Sequence, residues 1–487
     1  MNMPFKPVLL PTDALVFLLV AVILFSIWYI RRHQHLRAPW KKVAHSRSGM
    51  VAAVILGAFL VVGLLDSMHF RPRLNADASG KAGFAVDVIS VLDVALAPLR
   101  SRSEKTYSAP LATHLFAKET VQYPDGTQAR VFPRLVHGGK HLANPETDWA
   151  GDVTRRVVTG VAIAALAWNV LLLAAVFVLA HREHAKMRDT WRRLWHGETD
   201  VPWREMLVMA GLLLVVFVPM AVLSAKYHVL GTDKVGQDIF YIALKSIRTA
   251  LVIGTLATLV MLPFALTLGI MAGYIRGWVD DVIQYIYTTL NSIPGVLLIA
   301  ASVLMLQAFL ERHSDWFETS SERVDARLLV LCLILGVTSW TGLCRLLRGE
   351  TMKLRELDYV QAARAFGVSN FRIMARHILP NVMHIVLIAV VMDFSGLVLA
   401  EAVLSYVGVG VDPTMNSFGT MINAARLEMA REPMVWWSLA AAFAFMLMLV
   451  LSANLFADAV RDAFDPRIRG RLASPAFLSK YIPAARG

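Results

Sequence analysis

Gly231 and Gly236 have the G-x-x-x-x-G spacing that begins a phosphate-cradling glycine loop. Such a loop needs Lys and then Ser or Thr next, but Gln237 and Asp238 stand there. Without the lysine nothing neutralises phosphate, so the spacing is read as chance and ATP hydrolysis is not expected on this chain. His181 and His184 (HREH) lack the H-E-x-x-H spacing that sets two imidazoles on one helical face, and no metal site is expected there. Cys332 and Cys344 share one predicted helix; at ~1.5 Å per residue they lie roughly 18 Å apart, beyond disulfide reach. No nucleophile stands beside a base. What remains is a pair of carboxylates in apolar surroundings, Asp393 in VVMDFSGL and Glu401 at the head of EAVLSYVG.

The setting of these residues is a membrane. Of 487 residues, 56% are hydrophobic and 17% charged, and the mean hydropathy is +0.54; an ordinary soluble domain is less apolar and more charged. Nine stretches are long enough for a ~30 Å hydrocarbon layer, at 13–30, 50–66, 157–180, 206–224, 249–273, 284–309, 327–344, 382–404 and 437–457. An excess of 48 basic over 36 acidic residues gives a net charge of +12. The excess is dispersed between apolar stretches, which fits cytoplasmic loops better than a nucleic-acid surface.

The basic residues set the orientation. Arg31, Arg32, Arg37, Lys41, Lys42 and Arg47 crowd the first connection, and Arg182, Lys186, Arg188, Arg192, Arg193 and Arg204 follow the third stretch. Arg345, Arg348, Lys353, Arg355, Arg364, Arg372 and Arg376 follow the seventh; Arg461, Arg467, Arg469 and Arg471 follow the ninth. All fall on one side if the N-terminus starts outside, which makes that side cytoplasmic. Glu311, Asp315, Glu318, Glu322 and Asp325 then lie outside. The arginines come after the first stretch and no A-x-A site follows, so that stretch reads as a retained span and not a signal peptide.

About 90 residues between the second and third stretches are expected outside the membrane. Residues 84–99 (FAVDVISVLDVALAPL) carry Asp87 and Asp93, each costing about 2.5 kcal/mol or more at mid-bilayer, and are expected as an amphipathic or packed helix. Residues 121–123 and 127–132 flank Pro124, Asp125 and Gly126, which suits a hairpin in a small subdomain; an irregular loop is the alternative.

Residues 350–381 (ETMKLRELDYVQAARAFGVSNFRIMARHILPN) hold the densest signal. Leu354, Leu357, Val360 and Ala363 recur at helical spacing, predicting a short amphipathic helix. Gly367 supplies a stop, and Ser369 a cap for a second helix with Phe371, Met374, Ala375 and Ile378 on one face. Pro380 suits the first turn of the next span. Such a helix–turn–helix either lies on headgroups or docks a soluble partner.

Here the chain resembles the permeases of binding-protein-dependent ABC importers. Their cytoplasmic loop reads Glu-Ala-Ala, then a glycine four residues after the second alanine, then a closing Leu-Pro. Gln361, Ala362, Ala363, Gly367, Leu379 and Pro380 occupy those places. Gln361 departs from the usual Glu and lacks its charge. The segments 227–238 (YHVLGTDKVGQD), 272–280 (AGYIRGWVD), 401–413 (EAVLSYVGVGVDP) and 458–467 (DAVRDAFDPR) resemble the second, or C-type, permease of oligopeptide, dipeptide and nickel systems. Tyr406 stands where Phe is common and Ala457 where Gly is usual.

The resemblance implies an all-α polytopic fold, a six-span permease core at 206–467 with its coupling loop at 345–381. Ahead of it lie an extension with two spans (1–66), an extracytoplasmic segment (67–156), and a third extra span with a basic linker (157–205); a tail (468–487) follows. It also implies a bacterial inner-membrane protein that works with a homologous permease, two ATP-binding subunits carrying ATP and Mg, and an extracytoplasmic solute-binding protein. No cofactor on this chain and no nucleic acid are implied, and the cargo would be di- or oligopeptides, with nickel complexes, glutathione-like compounds or sugars left open. Asp393 and Glu401 are expected to line or border the path; for Asp393, local pairing with Ser395 or a sister subunit is the other reading. Gly408 and Gly410 are expected to shape a tight turn. An ion-coupled secondary transporter using Asp393 is the rival, and a membrane sensor ranks behind it.

Overall fold

The computed structural model describes residues 5–73, 84–122, 128–317 and 319–464. Among the described residues, nine helices are long and apolar enough to cross a membrane, one for each expected stretch. Residues 124–126, Glu318, Arg467, Arg469, Arg471 and the tail lie outside the described residues.

The chain opens with strand β1 (Phe5–Val8) and spans once as α1 (Pro11–Arg32). An amphipathic α2 (Gln34–His45) turns it back into α3 (Arg47–Asp66). Strands β2 (His69–Pro72) and β3 (Ile89–Ser90) then join β1 in an antiparallel sheet. This sheet holds the N-terminus on the same face as the segment after α3. The helix expected over 84–99 is shorter than that. Its first half supplies β3, and only α4 (Val91–Ala95) and α5 (Ala97–Arg100) are helical. Ser90 and Asp93 form a capping box that starts α4 at that point. The expected hairpin is present as β4 (Glu119–Gln122) paired with β5 (Gln128–Val131).

Beyond it, α6 (Pro145–Glu183) and α8 (Trp203–Ser224) are antiparallel spans joined by the basic α7 (Met187–His196). The following span, α9 (Ile239–Ile275), begins well before the expected 249. Asp238 caps it, accepting from the amides of Phe240 at 2.8 Å and Tyr241 at 3.3 Å. Hydropathy hides that first part because it carries Lys245 and Arg248, both paired inside the fold. The single span expected over 284–309 is two helices, α10 (Trp278–Ser292) and α11 (Gly295–Arg312). Pro294 has no N–H to continue the ladder and holds Ile293 in extended geometry at ψ 132°.

The remaining elements are α12 (Ser320–Arg355), α13 (Asp358–Ala365), α14 (Asn370–Ile373) with a π-turn (Met374–Ile378), α15 (Leu379–Val407), α16 (Phe418–Glu428) and α17 (Trp437–Phe464). Helices α9 and α12 form the central pair. A Cβ on Gly269 would come within 2.9 Å of the Cys344 carbonyl, and one on Gly336 within 2.6 Å of the Ala257 carbonyl. Small residues there let the two backbones touch, which is how apolar helices gain packing energy in lipid. About two-thirds of the way along α12, Cys344 is buried, as is Cys332 nearer its start, and both are free thiols.

Contacts group the basic segments on one face. Val43 of α2 packs on Val460 and Ala463 near the end of α17. Arg47 pairs with Glu205 at 3.5 Å, and Arg276 after α9 pairs with Glu356 after α12 at 3.1 Å.

Candidate coupling surface and intramembrane carboxylates

The amphipathic helix expected from Leu354, Leu357, Val360 and Ala363 is not one helix. α12 runs to Arg355 and breaks at Glu356, and α13 starts afresh at Asp358. Arg355 helps fix the break by donating to the Tyr274 carbonyl at 3.0 Å. Gln361 is exposed and closes it from the other side, Nε2 donating to the Glu356 carbonyl at 3.2 Å. A carboxylate at that position has no proton to give, so this contact belongs to the amide. Ala362 is exposed and Ala363 half-buried beside it.

Gly367 ends α13 at φ +75°. Its N–H donates to Arg364 at 3.0 Å and the Val368 N–H to Ala363 at 3.1 Å, the bond pair of a Schellman stop. Ser369 sits at the N-cap of α14, but its side chain makes no capping bond. The face expected of Phe371, Met374, Ala375 and Ile378 is also different: Ile373 and Ile378 are fully buried and Phe371 is 78% exposed. The cause is the π-turn. The Leu379 N–H bonds to the Met374 carbonyl five residues back, so side chains five apart share a face. Leu379 then begins α15 with Pro380 in its first turn, as expected.

Val360, Ile373 and Ile378 anchor the loop against Tyr274, Ile283 and Leu347 of α9, α10 and α12. Arg348 locks the same corner with a bidentate bond to Asp280 at 2.6 and 2.7 Å. Away from this anchor, Phe366 is 87% exposed and Tyr359 and Leu357 are each 43% exposed. A rigid helical pair thus presents aromatic side chains outward from a well-packed base. Exposed apolar groups held this way are typical of a docking surface.

The two intramembrane carboxylates part company. Asp393 is half-buried in α15 and has no hydrogen-bond or ion-pair partner among the described residues. The local partner considered for it, Ser395, is also buried and its hydroxyl is unbonded. Glu401 is buried and accepts from Ser405 Oγ at 2.7 Å and Ser417 Oγ at 2.9 Å, tying α15 to the N-terminus of α16. In this chain it occupies a packed junction, not an open wall. Gly408 ends α15 at φ +90°, and a Cβ on Gly410 would overlap Ser405.

The Gly231–Gly236 loop does not present its amides to a ligand. The Asp233 carboxylate accepts from Val235 N–H at 3.0 Å and Gln237 N–H at 2.8 Å. No group of His, Cys, Asp or Glu among the described residues is arranged to hold a metal.

Sequence reasoning missed the polar clusters at the opposite face, where residues 1–205 meet the later spans. Arg248 of α9 bonds Asp13 at 2.6 Å and lies 3.5 Å from Asp325. Thr12 donates its N–H to Asp325 at 2.9 Å, and His69 meets Asp13 at 2.7 Å. Lys245 sits 2.6 Å from Asp66 and 3.1 Å from Asp93. His228 is buried between Asp238 at 2.7 Å and Glu104 at 3.4 Å. Glu104 also accepts the amides of Val136, His137 and Gly138 at 2.8, 2.7 and 3.0 Å. Burial opposes the charge on His228, but the bonds to Asp238 and Glu104 outweigh it and push its pKa up to about 9. Burial likewise opposes the charge on Glu104, and His228 with those amides holds it down to about 2.

The chain is thus a multi-pass helical bundle with an anchored, outward-facing helical loop between two of its spans. Residues 265–470 match the family described as binding-protein-dependent transport system inner membrane component. The glutathione transport system permease protein GsiD of Pectobacterium atrosepticum is 33% identical over 244 residues, 50% of this chain and 73% of that protein. The oligopeptide permease OppC of Mycobacterium tuberculosis H37Rv is 31% identical over 242 residues, 50% of this chain and 77% of that one. The dipeptide permease DppC of Bacillus subtilis is 26% identical over 303 residues, 58% and 86% respectively. A solved structure of the MetNI methionine ABC transporter aligns over 47% of this chain and 98% of that chain, with 15% identity and a TM-score of 0.36. The chain belongs to the binding-protein-dependent transport system family and is an ABC importer permease.

Proposed function

We propose that this permease moves di- or oligopeptides, or similar small solutes, inward across the bacterial cytoplasmic membrane. The names of its relatives support that cargo class. A solute-binding protein delivers cargo at the face bearing the strands. A homologous permease completes the pathway, and two ATP-binding subunits, which carry ATP and Mg, dock at the basic face. That basic face is cytoplasmic by its Lys and Arg, so the N-terminus lies outside and the C-terminus inside. Residues 206–467 form the permease core and residues 1–205 the added part.

The observation that carries this reading is the loop anchored by Val360, Ile373 and Ile378 with Phe366 and Phe371 exposed. Gln361, Ala362, Ala363 and Gly367 shape the docking helix, and Leu379 with Pro380 passes its displacement into α15. ATP binding closes the ATPases, and the loop converts that closure into rocking of the spans, giving alternating access. Asp393, unpaired in α15, is the path residue we assign; Glu401 borders the path by holding α16 in place.

Affinity purification of the tagged chain in mild detergent, followed by mass spectrometry, tests the assembly. Recovery of a second permease and ATP-binding subunits is the expected result. A chain that purifies alone from cells expressing those partners would count against it.

A further inference from the structure

A cavity of about 500 Å³ opens between α3, α8, α9 and α17, with Leu171 of α6 at its edge. Every residue lining it is apolar, and Phe59, Phe217, Phe240 and Phe445 supply much of the wall. Water needs two to four polar partners to settle in such a space, and none is present. Left empty, a void of this size would deprive its lining of dispersion contacts that lipid chains supply freely. The helices around it are membrane spans, and Leu96, between α4 and α5, roofs its outer end. Hydrocarbon from the bilayer is the filling that fits.

A second pocket, of about 320 Å³, lies at the C-terminal end of α8. It is lined by Arg102, His137, Lys140, His141, Ala225 and Lys226. Lys140 and Lys226 are exposed, and neither side chain has an ion-pair partner among the described residues. Arg102 spends part of its guanidinium on the last carbonyls of α8, Ser224 and Ala225. Two carboxylates bond residues that line this recess, and both are already engaged: Asp152 by His141 at 2.7 Å, Arg156 at 2.7 Å and Tyr227 at 2.8 Å, and Glu104 by the His137 amide at 2.7 Å and by His228 at 3.4 Å. The recess is therefore a basic hollow with two ammonium groups unspent.

The two pockets lie on one line. Ala221 lines the apolar cavity and Ala225 the basic one. Residues four apart on a helix share a face and are separated by about 6 Å along its axis. That is the separation between a phosphate group and the start of its acyl chain. A free phosphate would leave the cavity unfilled, and an uncharged hydrocarbon would leave Lys140 and Lys226 unanswered. A zwitterionic headgroup would set its own cation against those lysines.

We propose that the seam between residues 1–205 and the permease spans binds an anionic phospholipid, its phosphate in the Arg102–Lys140–Lys226 recess and an acyl chain in the cavity beside Ala221. The lipid then completes the packing between α3, α6 and α8 that the protein alone leaves open. This site stands whatever cargo the permease carries.

Purification of the full chain with its partner subunits in mild detergent, extraction of retained lipid, and headgroup quantification against the parent membrane test the assignment. The wild type is expected to enrich phosphatidylglycerol or cardiolipin several-fold over phosphatidylethanolamine. Lys140→Gln with Lys226→Gln, both at exposed positions, should retain lipid but lose that enrichment. Ala221→Trp, which fills the cavity, should lower the retained lipid per protein. Equal enrichment in the wild type and the double lysine variant would overturn the headgroup assignment. Unchanged lipid retention in Ala221→Trp would overturn the acyl-chain assignment and leave the recess as a site for a free anion.

Discussion

His228 shows how a single side chain joins two parts of the molecule. It sits between Asp238, which caps α9, and Glu104, which gathers three amides of the segment around His137. Replacing it with Ala buries two carboxylates without their shared cation, a loss of about 3 kcal/mol or more. The imidazolium is favoured by folding, since its pKa rises from 6.5 to about 9. Its contribution is complete below pH 6.5 and is lost as the pH rises through about 9. The pKa of Glu104 falls from 4.5 to about 2, so its share is complete above 4.5 and is lost as the pH falls through about 2. Raising the pH from 6.5 to 9.5 should therefore lower the protection of the amides at residues 104–108 and 136–139, measured against their intrinsic base-catalysed exchange, and His228→Ala should show lowered protection already at pH 6.5 with little further change up to 9.5. No motif pointed to His228, because Glu104 lies 124 residues away in sequence. Asp393 was visible at once as a charge in an apolar run. Because it has no partner among the described residues, Asp393→Asn should leave the melting temperature equal or higher while lowering cargo uptake in proteoliposomes; unchanged uptake would remove it from the path.

At the scale of elements, the loop between α12 and α15 was legible in outline and wrong in detail. The stop at Gly367 and the start at Leu379–Pro380 follow from local backbone chemistry, which a short stretch of sequence records. The break at Glu356 and the π-turn do not, because both arise from fitting the loop beneath α9 and α10. Gly367→Val forces a β-branched residue into a left-handed conformation, at a cost of about 1–2 kcal/mol. The variant should assemble with the ATPases, yet ATP hydrolysis should no longer drive uptake; normal coupling would count against the helix-stop argument. Phe366→Ser with Phe371→Ser removes exposed apolar surface and leaves the buried Val360, Ile373 and Ile378 untouched. Its stability should be within about 0.5 kcal/mol of wild type, as expected of surface changes, while recovery of ATP-binding subunits on purification drops at least tenfold.

At the scale of the whole molecule, residues 1–205 are not a detachable appendage. They supply Asp13, Asp66, Asp93 and Glu104, which neutralise Arg248, Lys245 and His228 inside the fold. Deleting them would strand those cations, so the truncated chain should fail to accumulate in the membrane. A truncated chain that assembles and transports normally would show these ion clusters to be dispensable. Sequence alone determined the number of apolar spans among the described residues, the face that gathers the basic residues, the stops of the loop between α12 and α15 and the family, since hydropathy, charge bias and backbone chemistry are local properties. Only the tertiary structure decided where α9 begins, that Glu401 is packed while Asp393 is not, and that residues 1–205 are bound to the later spans by ions. Those outcomes depend on partners far apart in sequence, and a buried charge is tolerated only when the fold delivers its counter-charge.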